Sequence, residues 1–177
     1  MLADMSPLCV GHLLVVADRH YLSFAGVIRD HEVEVKDVKN QLFGLYRATF
    51  GDPVILEHGS SYGMEGSSCI THAHWHVLPL GLDAIHQVME GDGLAWTELG
   101  GLRDLAAMGQ DVTYFYCADR YRSRLYGVGQ ARRRQYLRSV AGAVLGIPDP
   151  EWDYAVVVRK EHLRATMAAT ADWRIDS

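Results

Sequence analysis

The stretch Thr71-His72-Ala73-His74-Trp75-His76-Val77-Leu78-Pro79 holds three of the nine histidines of this 177-residue chain, each separated from the next by one residue. In a β-strand, successive side chains point to opposite faces of the sheet. The pattern therefore predicts a strand over 70–78 with its histidines in a row on one face, roughly 6.6 Å between neighbours. Ala73, Trp75 and Val77 would pack on the core from the other face. Pro79 has no backbone N–H and fits the end of the strand.

Around this strand the chain alternates between short apolar runs and helical patterns. Strands are predicted over 12–17, 54–56, 112–118 and 123–128, and 154–158 could be a last strand. Apolar residues at spacings of three and four predict a main helix over 31–50 and a second helix over 130–145. We therefore predict an α+β fold with an antiparallel sheet of about five strands. Residues 1–82 would form the core that carries the histidines, and 83–177 a C-terminal extension packed on the same domain.

Composition and charge limit the function classes. The formal charge is −5 and 49% of the residues are apolar, which predicts an ordinary core and argues against binding of nucleic acid through a basic surface. No apolar run approaches the roughly 18 residues of a membrane span, and the first residues lack the features of a secretory signal. Cys9, Cys69 and Cys117 form no CxxC pair, so we expect reduced thiols and a cytoplasmic location.

The histidine row has three competing interpretations. The histidines could be ordinary core or surface residues, although strict alternation with an apolar set disfavours this. His72 and His74 could bind a metal, which would need a further ligand from elsewhere because the third histidine lies too far along the strand. The third interpretation is chemistry on phosphate: imidazole is largely neutral at pH 7, is nucleophilic, and can donate a proton from its second nitrogen. This interpretation fits the row best.

The motif His72-Ala73-His74-Trp75-His76-Val77-Leu78 resembles the signature of the histidine triad (HIT) family. Two more stretches add to the likeness. Gly11-His12-Leu13-Leu14-Val15-Val16 is similar to the strand that precedes the triad in that family, and Leu56-Glu57-His58-Gly59 is similar to the strand end and turn before it. The resemblance covers roughly residues 4–80 and implies an enzyme that acts on nucleotides.

For catalysis, the resemblance implies that His74 attacks the α-phosphorus of a nucleotide and forms a covalent nucleotidyl-histidine, which water or another acceptor then resolves. His72 and His12 would orient the nucleophile, and His76 would contact phosphate and assist the leaving group. Dinucleoside polyphosphates and nucleoside phosphoramidates are the implied substrates. No resident metal or other cofactor is implied, although a divalent ion could arrive with the substrate, and a homodimer is possible.

Five further residues are expected to contact the substrate. The resemblance places Asp4 at the ribose hydroxyls, Glu57 at the nucleotide and Ser68 near the phosphates. Ser67 belongs to the Gly/Ser-rich segment 59–68, whose N–H and hydroxyl groups could bind an anion, and His58 lies at the mouth of this loop. Two alternatives remain open, namely a metal-dependent enzyme built on His72 and His74 and a nucleotide-binding module without catalysis.

Overall fold

One antiparallel sheet with helices on both faces organises the chain. The structure, a computed structural model, describes residues 1–61, 72–108, 112–127 and 133–175. In chain order the elements are β1 (Leu2–Ala3), β2 (Leu13–Val16), α1 (Phe24–Phe50), β3 (Val54–Gly59), β4 (His74–Leu78), α2 (Leu82–Gly91), β5 (Trp96–Leu99), α3 (Leu102–Ala106), β6 (Tyr114–Ala118), β7 (Ser123–Gly127), α4 (Tyr136–Val144) and α5 (Lys160–Ala169).

The sheet has the strand order β1-β2-β4-β3-β6-β7-β5, and each neighbouring pair is antiparallel. The α+β class is thus confirmed, but the described residues form seven strands rather than about five. The sequence patterns missed β1, which is only two residues long, and β5, whose sequence WTEL is largely exposed and has no apolar alternation. The strand considered over 154–158 is wrong, since these residues form turns and irregular backbone.

The two faces of the sheet carry separate apolar clusters. On one face, Trp75 and Val77 of β4 pack with α1 and with Leu105 of α3. On the other face, Leu78 of β4 packs with α2, α4 and Trp152. The alternation predicted for β4 is therefore present, and it turns His74 and His76 toward the face that α2 and α4 partly cover.

The main helix α1 begins at Phe24, seven residues before the predicted start, and ends at Phe50 as predicted. His31 has non-helical dihedral angles, so the helix is kinked where the sequence pattern suggested its beginning. Gly51 follows with φ of 95°, a conformation that favours glycine and ends the helix. In the part of the chain that the structure describes, no helix is both long and apolar enough to cross a membrane.

Candidate active site

His74 is the histidine whose ring is best prepared for nucleophilic attack. Its Nδ1 lies 2.8 Å from the carbonyl oxygen of His72. A carbonyl can only accept a hydrogen bond, so Nδ1 of the neutral ring carries the proton and Nε2 keeps its lone pair. Burial lowers the pKa of His74 below the ordinary imidazole value, which favours the neutral, nucleophilic form at pH 7.

His72 anchors the start of this row. Its Nε2 lies 2.6 Å from the carbonyl oxygen of Ala17, which follows β2, and therefore donates to that oxygen. Its ring also meets the ring of His20 edge-on, with 5.5 Å between centroids. His72 thus ties the residues just before β4 to the end of β2, and its carbonyl group orients His74.

A chain of hydrogen bonds joins His12 to His76. The backbone N–H of Leu8 donates to Nδ1 of His12, at 3.2 Å, so the proton of the neutral His12 ring is on Nε2. That nitrogen lies 2.9 Å from Nδ1 of His76 and donates to it. The remaining proton of His76 is consequently on Nε2, where it can be donated to a ligand.

Burial keeps both rings of this pair neutral. Burial and then the nearby Arg138 hold the pKa of His12 well below its ordinary value. Burial, followed by His74 and His12, does the same for the pKa of His76. A neutral pair preserves the hydrogen-bond directions described above, because a charged imidazole would donate from both nitrogens.

An ion pair between Asp4 and Arg138 lies behind the two rings. Asp4 Oδ2 is 3.1 Å from Nη1 of Arg138 and 3.5 Å from Nε2 of His12. Arg138 also donates from Nη2 to the carbonyl oxygen of Ser6 and from Nε to that of Trp152. Both charged side chains are about nine-tenths buried, so the guanidinium group compensates a carboxylate that would otherwise be costly beside neutral rings.

Asp4, His12 and His76 also bring three potential metal-binding atoms within 4.8 Å of one another. Two nitrogens on one tetrahedral zinc ion would lie about 3.3 Å apart, given Zn–N bonds of about 2.0–2.1 Å. The observed 2.9 Å instead matches a hydrogen bond, and the guanidinium group of Arg138 beside Asp4 repels a cation. For the alternative site on His72 and His74, Nε2 of His72 and Nδ1 of His74 both face carbonyl oxygens, so Nδ1 of His72 and Nε2 of His74 are the nitrogens left for a metal.

A cavity of about 330 Å³, called here the histidine cavity, adjoins this arrangement. Its lining residues come from the N-terminal segment, three neighbouring strands and the C-terminal portion: Leu2, Asp4, Met5, Ser6, Leu14, His58, His74, His76, Gln135, Tyr136, Leu137, Arg138 and Tyr154. Much of the lining is apolar, and the histidines form its polar part. This volume lies near the lower end of the range of about 300–1,000 Å³ for small-molecule sites.

His58, predicted at the mouth of the loop, lies within β3 and lines this cavity. Its Nε2 is buried and has no hydrogen-bond partner among the described residues. Burial, with a smaller contribution from His74, lowers the pKa of His58 to about 4, so its ring is neutral at pH 7. His58 lines the cavity, and its contact with a substrate stays a prediction.

Glu57 corrects an expectation. It lies on the opposite face of the sheet, fully buried, where its carboxyl group accepts hydrogen bonds from the N–H of Phe24 and from Nε1 of Trp75. This position excludes contact with a ligand in the histidine cavity. The sequence could not show it because β3 is apolar on both faces and has no alternation to mark which side Glu57 takes.

The other predicted contacts have mixed outcomes. Asp4 lines the cavity, but both of its oxygens already accept hydrogen bonds, Oδ1 from the N–H of Ser6 and Oδ2 from Arg138. Ser67 and Ser68 lie outside the described residues. The sequence patterns did not identify Arg138 and Gln135 as site residues. A lone arginine within the apolar sequence Tyr136–Val144 is the signal that could have drawn attention to Arg138.

No family model matches this chain, and no curated protein matches it. The fold and the site therefore define only a class: an α+β protein with one seven-stranded sheet and a histidine-lined cavity on one face. Any narrower assignment depends on the chemistry of the cavity.

Proposed function

We propose that this protein is a nucleotide hydrolase or nucleotidyl transferase of the HIT type, which acts at an α-phosphate through a covalent intermediate on His74. The observation that carries the proposal is the hydrogen bond of 2.8 Å between His74 Nδ1 and the His72 carbonyl oxygen, which leaves Nε2 free at a cavity. Dinucleoside polyphosphates and nucleoside phosphoramidates are the proposed substrates. The free thiols of Cys9 and Cys117 are compatible with a cytoplasmic location.

In the first step His74 Nε2 attacks the α-phosphorus. A nitrogen–phosphorus bond forms, and the leaving group departs with the electron pair of its own bond to phosphorus and takes a proton from solvent. The His74 ring thereby gains a positive charge, which strengthens the hydrogen bond from Nδ1 to the His72 carbonyl oxygen. The Nε2–H of His76 donates to the leaving atom or to a phosphate oxygen and stabilises the charge that develops there.

In the second step water, or another hydroxyl acceptor, attacks the same phosphorus. The bond from phosphorus to His74 breaks, its electron pair returns to Nε2, and the proton of the attacking group passes to solvent. The nucleotide product leaves, and the starting tautomer of His74 is restored. Two displacements through a covalent intermediate replace one more difficult displacement.

The test is intact-mass measurement of the native protein and of His76→Ala, at a series of times after mixing with a panel of nucleotides and nucleotide conjugates. We expect a mass increase of one nucleotidyl group, mapped to His74 by peptide sequencing. The increase should be absent in His74→Ala and retained in His31→Ala, which changes a histidine of α1 outside the cavity. An adduct on another residue, or none across the panel, would contradict the proposal, and binding without adduct or turnover would indicate a non-catalytic module.

A further inference from the structure

Gln135, immediately before α4, has an unusual backbone. Its φ of 56° and ψ of 35° are left-handed, and it is the one non-glycine residue with positive φ in the described parts of the chain. An L-residue other than glycine adopts this region at a cost of about 1 kcal/mol or more. Such residues persist where the surrounding structure holds them, and they cluster at functional sites.

The side chain of Gln135 is held in one orientation. Its Nε2 donates to Oδ1 of Asp153 at 2.9 Å, and the same oxygen accepts from the N–H of Ala155. These two hydrogen bonds lower the pKa of Asp153, and the one from Ala155 has the larger effect. The side chain of Asp153 is therefore an ionised carboxylate, which can only accept hydrogen bonds. The amide of Gln135 must therefore turn its NH₂ toward Asp153 and its Oε1 away from it.

That Oε1 atom is buried and has no hydrogen-bond donor within reach among the described residues. Buried side-chain oxygens nearly always have a partner, and an exception calls for a ligand or a structural reason. Gln135 lines the histidine cavity together with His74 and His76. Three separate observations therefore concern Gln135: its unpaired acceptor, its left-handed backbone and its place in the cavity wall.

We propose that Gln135 is a specificity-determining residue, whose Oε1 accepts a hydrogen bond from an O–H or N–H group of the uncharged organic part of the substrate. This inference rests on the proposed function. A phosphate is disfavoured beside Oε1 of Gln135, because this acceptor oxygen and the nearby Asp153 carboxylate both repel phosphate oxygens. The phosphate therefore lies at the histidines. The organic group lies between Gln135 and apolar residues such as Leu14.

The test measures binding of adenosine 5′-monophosphate by calorimetry, with analogues that lack the ribose hydroxyls or the exocyclic amino group. Loss of one neutral hydrogen bond corresponds to about 2- to 13-fold weaker binding. We expect this loss for Gln135→Leu and no change for Gln87→Leu, a matched variant on the exposed part of α2. The analogue that lacks the group bound by Gln135 should bind the native protein more weakly than adenosine 5′-monophosphate does, by a similar factor. The same analogue and adenosine 5′-monophosphate should bind Gln135→Leu with equal affinity.

A second variant protects the test against misfolding. Gln135→Gly removes the side chain and suits the left-handed backbone, so it should keep the fold, judged by its NMR spectrum, and still show the weaker binding. Unchanged affinity in both variants, or a native protein that discriminates none of the analogues, would overturn the role of Gln135. A native protein that binds no nucleotide would instead overturn the proposed function, so the two failures are distinguishable.

Discussion

At the scale of single residues, the partner at one ring nitrogen determines what the other nitrogen of a histidine can do. A carbonyl oxygen at Nδ1 leaves the lone pair of His74 on Nε2, whereas a donor at Nδ1 leaves the proton of His76 on Nε2. The two residues are chemically identical and only two positions apart on β4. Their opposite roles come from atoms of His72 and His12.

The pH dependence of adduct formation follows from the lowered pKa of His74. Attack requires the neutral ring, and burial keeps that ring neutral to a lower pH than an exposed imidazole of pKa about 6.5. The rate should therefore fall to half its plateau value at the pKa of His74, at a pH below 6.5. Stopped-flow rates and an NMR titration of His74 should agree, and a decline centred above pH 6.5 would contradict this expectation.

The buried ion pair of Asp4 and Arg138 makes a second prediction. Arg138→Met leaves the Asp4 carboxylate uncompensated, which should lower the free energy of unfolding by about 3–5 kcal/mol. It should also raise the pKa values of His12 and His76, because Arg138 lowers both. Urea unfolding and NMR titration measure the two effects.

Two variants serve as controls for this pair. Arg103→Met removes an exposed ion pair with Glu32 and should cost no more than about 1 kcal/mol. The double variant Asp4→Asn/Arg138→Met removes both buried charges and should return the pKa of His76 toward its native, low value. An Arg138→Met protein no less stable than Arg103→Met would contradict the prediction.

At the scale of elements, the sheet supplies the N-terminal cap of α1. Ser23 precedes the helix but makes no side-chain capping hydrogen bond. Instead, Glu57 of β3 accepts from the N–H of Phe24 at 2.6 Å, and the Tyr114 hydroxyl of β6 accepts from the N–H of Ala25 at 3.3 Å. Two unpaired N–H groups of the first turn are thereby satisfied by residues from other elements.

Burial raises the pKa of Glu57 from 4.5 to about 7. Between pH 4.5 and pH 7, Glu57 is therefore protonated in the folded protein and ionised in the unfolded chain. The stabilisation is complete below pH 4.5 and is lost as the pH rises through 7, by roughly 3 kcal/mol in total. Glu57→Gln cannot ionise. The stability of the native protein relative to this variant should therefore fall between pH 5 and pH 8.5.

Urea unfolding at the two pH values tests this prediction. The exposed Glu98→Gln variant on β5 should show no such change with pH, and adduct formation on His74 should survive Glu57→Gln because the carboxyl group lies on the other face of the sheet. A difference in stability that is the same at pH 5 and pH 8.5 would refute the raised pKa.

At the scale of the whole molecule, both portions of the chain build one sheet. β3 lies between β4 of the first portion and β6 of the second, and pairs with both. Val54 and Leu56 of β3 are fully buried beneath residues from beyond position 82. The second portion therefore also supplies part of the site, including Gln135 and Arg138.

A fragment of residues 1–82 should not fold on its own. It would leave β3 as an unpaired edge strand and expose the apolar face that α2 and α4 cover. We expect a fragment spectrum typical of an unfolded or aggregated chain in circular dichroism and NMR, whereas the full chain should unfold in one cooperative transition. A fragment with a dispersed NMR spectrum and cooperative unfolding would show that the first portion is an independent domain.

Local patterns in the sequence were enough to predict several elements. The period-two row predicted β4 and its faces, although His72 and Ala73 lie before the strand. Apolar spacing predicted most of α1 and α4. These signals depend only on neighbours along the chain. Contacts between distant parts of the chain set the face taken by Glu57, the addition of β1 and β5 to the sheet, and the position of Arg138 and Gln135 beside the histidines. These features depend on hydrogen bonds, burial and charge between residues up to 134 positions apart, which no local pattern records.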